Sequence, residues 1–369
     1  WMHGDIKGAF LSDTDATNVS PSSNLVSNGD FADTNLSSYF TVINSDANGG
    51  SEANSTPYVN GSNQVVMGNS AQLKTYFNLV AGRVYKISYD CVNVSIAQQR
   101  LGIYVPSGGS LNFDDSIAAG GTNTYYYTAT STGSTLIEWR SRGGGWGTYD
   151  NFTIIESTEL DRSVNNKGLQ VFGTVTKSAV ATGADLVGYS GWSNSNYLVQ
   201  PYNSDLNFGT DNFSTSFWIY TTDASLTGFV FDRGGPNNTD PRLAVYIEND
   251  EIVLYTYSGG ASTLSHSFDE YENRWVHVVM TRSSSGAMQI FINGIIVSSG
   301  TATVRNVTSS TNAELTIANR YSRDGVNPLD ATISLLRISG SIPSAEQVTK
   351  MYEDEKVLFQ ENAACTLYG

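Results

Sequence analysis

The chain has 369 residues, with 35 Gly, 21 Tyr, only 15% charged residues and a formal net charge of -15. That length suits about two domains, each large enough to bury its own core. A negative surface argues against nucleic acid, which demands a basic one, and against anionic lipid. No apolar run approaches the roughly 20 residues of a membrane-spanning helix, so no membrane insertion is expected. Gly, Asn, Ser, Thr and Tyr in these proportions suit many short strands joined by tight polar turns.

Residues 1–22 are polar and turn-rich and read as a linker, or as a strand belonging to a preceding element. Strand-like segments then follow at spacings of 10–15 residues: 24–26, 76–80, 84–89, 101–105, 125–129, 135–139 and 151–155. In 84–89, Tyr85, Ile87 and Tyr89 alternate with Val84, Lys86 and Ser88, the period of a half-buried strand. No helical period separates these segments, which predicts a first β-sandwich over 23–157. The polar stretch 156–166 reads as a boundary, with a second sandwich over 158–356. Its hairpins are marked by Asn293-Gly294 and Asn249-Asp250, two-residue turns whose residues tolerate positive φ. Near the end, Ser344 with Gln347 three residues on forms a capping box, and Val348, Met351 and Tyr352 make a short apolar stripe. Residues 357–369 read as a second connecting segment. The expected fold class is therefore all-β: two tandem antiparallel jelly-roll sandwiches with one short C-terminal helix. Cys91 and Cys365 fall in different modules, and a disulfide between them stays open.

Several of these pieces also resemble known families. Phe213-Ser214-Thr215-Ser216-Phe217-Trp218-Ile219, Asn273-Arg274-Trp275-Val276-His277-Val278-Val279, Phe291-Ile292-Asn293-Gly294 and Ile333-Ser334-Leu335-Leu336-Arg337-Ile338 resemble, in this order, a laminin-G-like, concanavalin A-like domain. Asn24-Leu25-Val26-Ser27-Asn28-Gly29-Asp30-Phe31 and Tyr149-Asp150-Asn151-Phe152-Thr153-Ile154 resemble the opening and closing strands of a carbohydrate-binding module. Here Tyr39-Phe40 replaces the Trp usual in that family. The stretches 4–13, 197–206, 352–356 and 358–362 are similar to tail and fibre proteins of bacteriophages. That resemblance implies a structural, adhesive virion component that binds host-surface glycans and assembles as a homo-oligomer. A bacterial surface adhesin and the accessory region of a polysaccharide-degrading enzyme are the alternatives.

No catalytic set is recognisable, and the chain is read as a non-enzyme. Glycoside hydrolysis needs two carboxylates at fixed separation. Glu248 and Asp250 begin such a pattern, but Ile252 or Val253 stands where the second Glu belongs, and Asn249-Asp250 also reads as a solvated turn. Gly188-Tyr189-Ser190-Gly191-Trp192 lacks the final Gly of a nucleophile elbow, and His3, His266 and His277 are scattered. Sugar binding is the positive expectation, because apolar sugar faces stack on aromatic rings while polar neighbours bind hydroxyls. Trp139, Arg142, Trp146 and Tyr149 flank the glycine-rich stretch 143–145, and Tyr126 belongs to a run of three tyrosines. These five are the expected glycan ligands, against the plainer reading of Trp146 as a lid on the core. Ca²⁺ is the expected structural cofactor, since it takes carboxylate and carbonyl oxygens from loops. The carbohydrate-module resemblance implies Asp30 and Asp150 as its ligands. The oxygen-rich loop 232–240 adds Asp232 and Asp240, with Asp324 on another loop.

Overall fold

The computed structural model describes residues 5–43, 56–68, 71–81, 83–94, 100–104, 121–129, 131–142, 146–165, 167–225, 227–235, 240–309, 313–322 and 327–366. Strand β1 is Ile6–Phe10. There follow β2 (Thr41–Ile43), β3 (Tyr58–Val59), β4 (Val65–Gly68), β5 (Gln72–Leu79), β6 (Val84–Val94), β7 (Arg100–Tyr104), β8 (Gly121–Thr128), β9 (Gly133–Arg142) and β10 (Trp146–Glu156). Then come β11 (Gln170–Phe172), β12 (Thr176–Ala179), β13 (Val187–Ser190), β14 (Tyr197–Gln200), β15 (Phe213–Tyr220), β16 (Gly228–Gly234) and β17 (Arg242–Glu248). The chain continues through β18 (Glu251–Tyr257), β19 (Ala261–Ser267), β20 (Val276–Arg282), β21 (Ala287–Ile292), β22 (Ile295–Thr301), β23 (Glu314–Ile317), β24 (Thr332–Ser339) and the helix α1 (Ala345–Glu355).

These elements form two compact units, one of residues 22–157 and one that joins 1–21 to 158–369. The first unit has a five-stranded sheet, β3-β4-β10-β6-β8, and a four-stranded sheet, β2-β5-β9-β7. Its core is aromatic: Trp139 stacks on Phe152 with ring centroids 4.9 Å apart, and Phe152 meets Phe31 edge-on at 5.1 Å. The opening motif closes this unit against its last strand. Asn24 Oδ1 accepts the N–H groups of Val26 and Ile154 at 3.0 and 2.9 Å, and its Nδ2 donates to the Phe152 carbonyl at 3.1 Å. Gly29 is required there because a Cβ would lie 2.0 Å from the Phe152 carbonyl oxygen.

The second unit pairs the seven-stranded sheet β11-β14-β23-β16-β17-β18-β19 with an eight-stranded one, β12-β13-β24-β15-β20-β21-β22, in which β1 also pairs with β24. Both two-residue hairpins form, with Asn249, Asp250, Asn293 and Gly294 all at positive φ. The capping box forms as read: Ser344 Oγ accepts Gln347 N–H at 3.2 Å and Gln347 Oε1 accepts Ser344 N–H at 2.8 Å. The thiols of Cys91 and Cys365 are both free.

Two segments expected as connections are structural parts of this unit. Residues 6–10 are a strand antiparallel to β24, and Phe10 and Leu11 are fully buried in the core. At the other end, Phe359 stacks 4.2 Å from Trp218 and packs 4.9 Å from Trp275, and Asp185 N–H donates to the Ala363 carbonyl at 2.9 Å. Both segments are short and flanked by polar residues, so their apolar anchors give no periodic signal.

Candidate functional site

The glycan ligands expected in the first unit do not converge. In β9, Ile137, Trp139 and Ser141 alternate onto the core face. Trp139 is therefore fully buried against Phe152, and its Nε1 has no hydrogen-bond partner among the described residues. Tyr149 is likewise fully buried, edge-on to Tyr89 at 6.0 Å. Neither ring can present a face to a sugar. Trp146 is half-buried at the start of β10, whereas Tyr126 lies opposite Lys86, whose partner on β10 is Ile155. At ~3.3 Å per strand residue, roughly 30 Å separates them. The Arg142 side chain and residues 143–145 lie outside the described residues.

The expected metal ligands divide in the same way. Asp232 is fully buried and committed: Arg242 Nε donates to its Oδ1 at 2.7 Å, Arg242 Nη2 to its Oδ2, and Tyr321 N–H to Oδ2 at 3.0 Å. A carboxylate so filled by a cation and an amide is no calcium ligand. Asp240 packs against Gly235, where a Cβ would meet its Oδ2 at 2.1 Å. Residues 236–239 and Asp324 lie outside the described residues. Asp30 is exposed and Asp150 half-buried. Asp150 lies directly across the ladder from Asp90, and like charges in that position oppose each other. Burial pushes the Asp150 carboxyl above its usual range, with further contributions from Asp90 and Asp30. Asp90 is held by Thr122 Oγ1 at 2.6 Å and Asn151 Nδ2 at 2.7 Å. Among the described residues, no group of three His, Cys, Asp or Glu converges tightly enough to hold a metal ion.

Among the described residues, the densest arrangement of ligand-competent chemistry lies elsewhere, on the outer face of the seven-stranded sheet. Leu243, Val245 and Ile247 of β17, with Ile252 and Leu254 of β18, point into the core. Strand alternation puts Arg242, Tyr246, Tyr255 and Tyr257 on the opposite face. The Asn249-Asp250 turn fixes the register, opposing Glu248 to Glu251, Tyr246 to Val253, Ala244 to Tyr255 and Arg242 to Tyr257. Asp232 of β16 opposes Ala244, so Arg242 is its diagonal neighbour and can turn back over the small alanine to reach it.

The result is a guanidinium enclosed by rings. The Arg242 Cζ is 4.9 Å from the Tyr321 ring centroid, 5.3 Å from Phe229 and 5.6 Å from Tyr255. Phe229 and Tyr246 lie 5.1 Å apart, and the Tyr255 and Tyr257 rings are parallel within 3° at 6.5 Å. Tyr246, Tyr255, Tyr257 and Tyr321 are each half-buried. Burial raises the Tyr246 and Tyr255 phenols above their usual range, so both remain neutral hydroxyl donors at physiological pH. A cluster of half-buried rings carrying phenolic hydroxyls suits the apolar face and hydroxyls of a sugar. None of these six residues belongs to the expected set, although the two-residue turn alone places Tyr246, Tyr255 and Tyr257 on one face. Glu248 and Asp250, the carboxylates nearest a hydrolase pattern, are exposed at that turn.

Residues 193–349 match the family model described as the concanavalin A-like lectin/glucanase superfamily. Among solved structures, the chain is similar to the botulinum neurotoxin serotype G binding domain, with 16% identity and a TM-score of 0.43 over 53% of this chain and 48% of that one. It is also similar to the serotype D ligand-binding domain in complex with N-acetylneuraminic acid, with 19% identity and a TM-score of 0.43 over 54% of this chain and 48% of that one. The chain thus spans about half the length of these structures, and likeness at that distance carries no information about ligand. No curated protein matches the sequence.

Proposed function

We propose that the chain is a non-catalytic glycan-binding protein whose principal site is the ring platform around Arg242. The observation that carries this reading is the Arg242–Asp232 clamp, which holds Phe229, Tyr255 and Tyr321 about one guanidinium on the outer face of the seven-stranded sheet. The lectin-like superfamily match over that part of the chain supports it. Arg242 is neutralised by Asp232, and Glu248 and Glu251 stand on the same hairpin. With a net charge of -15 on the chain, the platform suits neutral sugars better than acidic ones. A glycan array containing both kinds should return neutral oligosaccharides. Retention of sulfated or uronic-acid glycans alone would sink the neutral-sugar reading, and an empty array would sink the function.

The setting is proposed as a phage tail or fibre, on the resemblance of 4–13, 197–206, 352–356 and 358–362 to such proteins. Weak sites of this kind gain strength when a homo-oligomer presents many copies together. Calcium is proposed as a structural ligand of the first unit. The crossing of Asp150 with Asp90, joined electrostatically by Asp30, supports it, because a cation there would relieve the repulsion among them. Asp30 and Asp150 would hold the ion with neighbouring carbonyls. A ligand of the native state adds about 2.7 kcal/mol at a hundredfold excess over its dissociation constant. Chelation should therefore lower the melting temperature of the first unit, and Ca²⁺ should restore it. A melting curve indifferent to both would remove the site.

A further inference from the structure

We infer that a second, smaller site lies on the eight-stranded sheet beside α1, and that it takes the acetamido group of an N-acetylated sugar. A pocket of about 50 Å³ opens there between the sheet and the helix. A water needs roughly 10–15 Å³, so the pocket holds a group of about four heavy atoms and leaves a sugar ring at its mouth. The floor is low because β15 and β24 carry serines where the rest of that face carries Trp218 and Leu335.

The polar groups present unclaimed hydrogen-bonding capacity. Ser214 Oγ donates to the Ser341 carbonyl at 2.7 Å and Ser339 Oγ to the Asp5 carbonyl at 3.0 Å, so both are committed. Ser216 lies two residues along β15 from Ser214, opposite Arg337 on β24; it is only 5% exposed, and its hydroxyl has no partner among the described residues. Gln347 lines the wall, and its Oε1 accepts the Ser344 N–H in the capping box, so its NH₂ is the end it offers. Ile6, Val279 and Met351 supply apolar wall. A carbonyl oxygen facing Gln347 and Ser216, with a methyl against Met351 and Val279, satisfies this lining.

Charge selects a neutral group. Arg337 lines the pocket, but its Nη1 donates to Glu355 Oε1 at 2.7 Å, and Glu355 Oε2 accepts Trp218 Nε1 at 2.8 Å. The pair leaves Arg337 neutralised within the lining, so the pocket offers no net charge to hold a carboxylate, and an ammonium would face Arg337. The sugar that carries the group rests on the glycan reading; the pocket does not.

The test is methyl-detected NMR on the intact chain, which has 5 Met, following Met351 during titration with N-acetylglucosamine, glucose or acetate. N-acetylglucosamine should shift Met351 with a millimolar midpoint, and glucose and acetate should not. Gln347→Glu keeps the capping box, since Glu serves at that position as well as Gln. It replaces the NH₂ donor by an acceptor and should weaken binding about fivefold, the worth of one neutral hydrogen bond. Tyr255→Ala/Tyr257→Ala should leave the Met351 response intact even if it abolishes binding at the ring platform. No shift, an equal shift with glucose, a larger one with acetate, unchanged affinity in Gln347→Glu, or loss of the response in the tyrosine variant would each overturn the proposal.

Discussion

Residues 158–369 expressed without residues 1–21 should fail to fold, whereas 1–21 joined directly to 158–369 should fold, and 22–157 should fold alone. The first unit is an insertion within the second. β1 covers the edge of β24 beyond its pairing with β13 at Ile333: Leu335 N–H donates to the Leu11 carbonyl at 2.8 Å and Gly340 N–H to the Asp5 carbonyl at 2.9 Å. Ala9 N–H donates to the buried Asp161 Oδ1 at 2.9 Å, and Lys177 Nζ, itself nearly buried, pairs with Asp13 Oδ2 at 2.6 Å. Phe10 and Leu11, both fully buried, contribute about 1.5–3 kcal/mol each. Losing them with the ladder and the Lys177 partner removes a free energy comparable to the roughly 5–15 kcal/mol that holds a domain together. Excision of the insert is tolerable because its flanks meet. Thr158 Oγ1 donates to the Ser20 carbonyl at 3.0 Å, and within the insert Glu156 N–H donates to Ser22 Oγ at 2.8 Å. Circular dichroism and thermal melts of the three proteins decide this. A cooperative transition for 158–369 alone, at the temperature of the joined form, would refute the insertion.

Asp232→Ala should destabilise the second unit by about 3–5 kcal/mol, the cost of leaving a buried charge without its partner. Asp232 is fully buried, and its removal strands the Arg242 guanidinium and the Tyr321 amide together. Burial pushes the Asp232 carboxyl up while Arg242 and the Tyr321 N–H oppose that push. Arg242 is itself 15% exposed and can reach solvent, which places the cost at the lower end of that range. The double variant Asp232→Ala/Arg242→Met should recover part of the loss, because it removes the stranded charge and keeps an apolar stem beneath Phe229 and Tyr255. Urea unfolding of the three proteins measures it. Additive losses in the double variant would show that the two residues act independently and that the clamp does not organise the rings.

The β-sandwich class was legible because alternation and two-residue turns are local: the strand over 84–89 and the hairpins at Asn249-Asp250 and Asn293-Gly294 all formed. The membership of β1 was not, since its partner β24 lies more than three hundred residues away in sequence and only three-dimensional pairing distinguishes a strand from a linker. Trp139 shows why the first candidate site dissolved. It flanks the glycine-rich stretch 143–145 with the other expected ligands, but strand parity places Trp139 with Ile137 and Ser141 on the core face. The platform could have been found from Tyr246, Tyr255 and Tyr257 by folding the hairpin about its turn. Phe229 and Tyr321 could not, because a bulge in β16 and a loop after β23 bring them there.

The rings around Arg242 are the proposed sugar site. Isothermal titration of an array-selected neutral oligosaccharide into the intact chain and into Tyr255→Ala/Tyr257→Ala tests it most directly. Each stacked ring contributes about 0.5–1.5 kcal/mol, so the double variant should bind about 30-fold more weakly. Its melting temperature should stay close to that of the parent, since both rings are only half-buried. Unchanged affinity in a folded double variant would place the sugar site elsewhere on the chain.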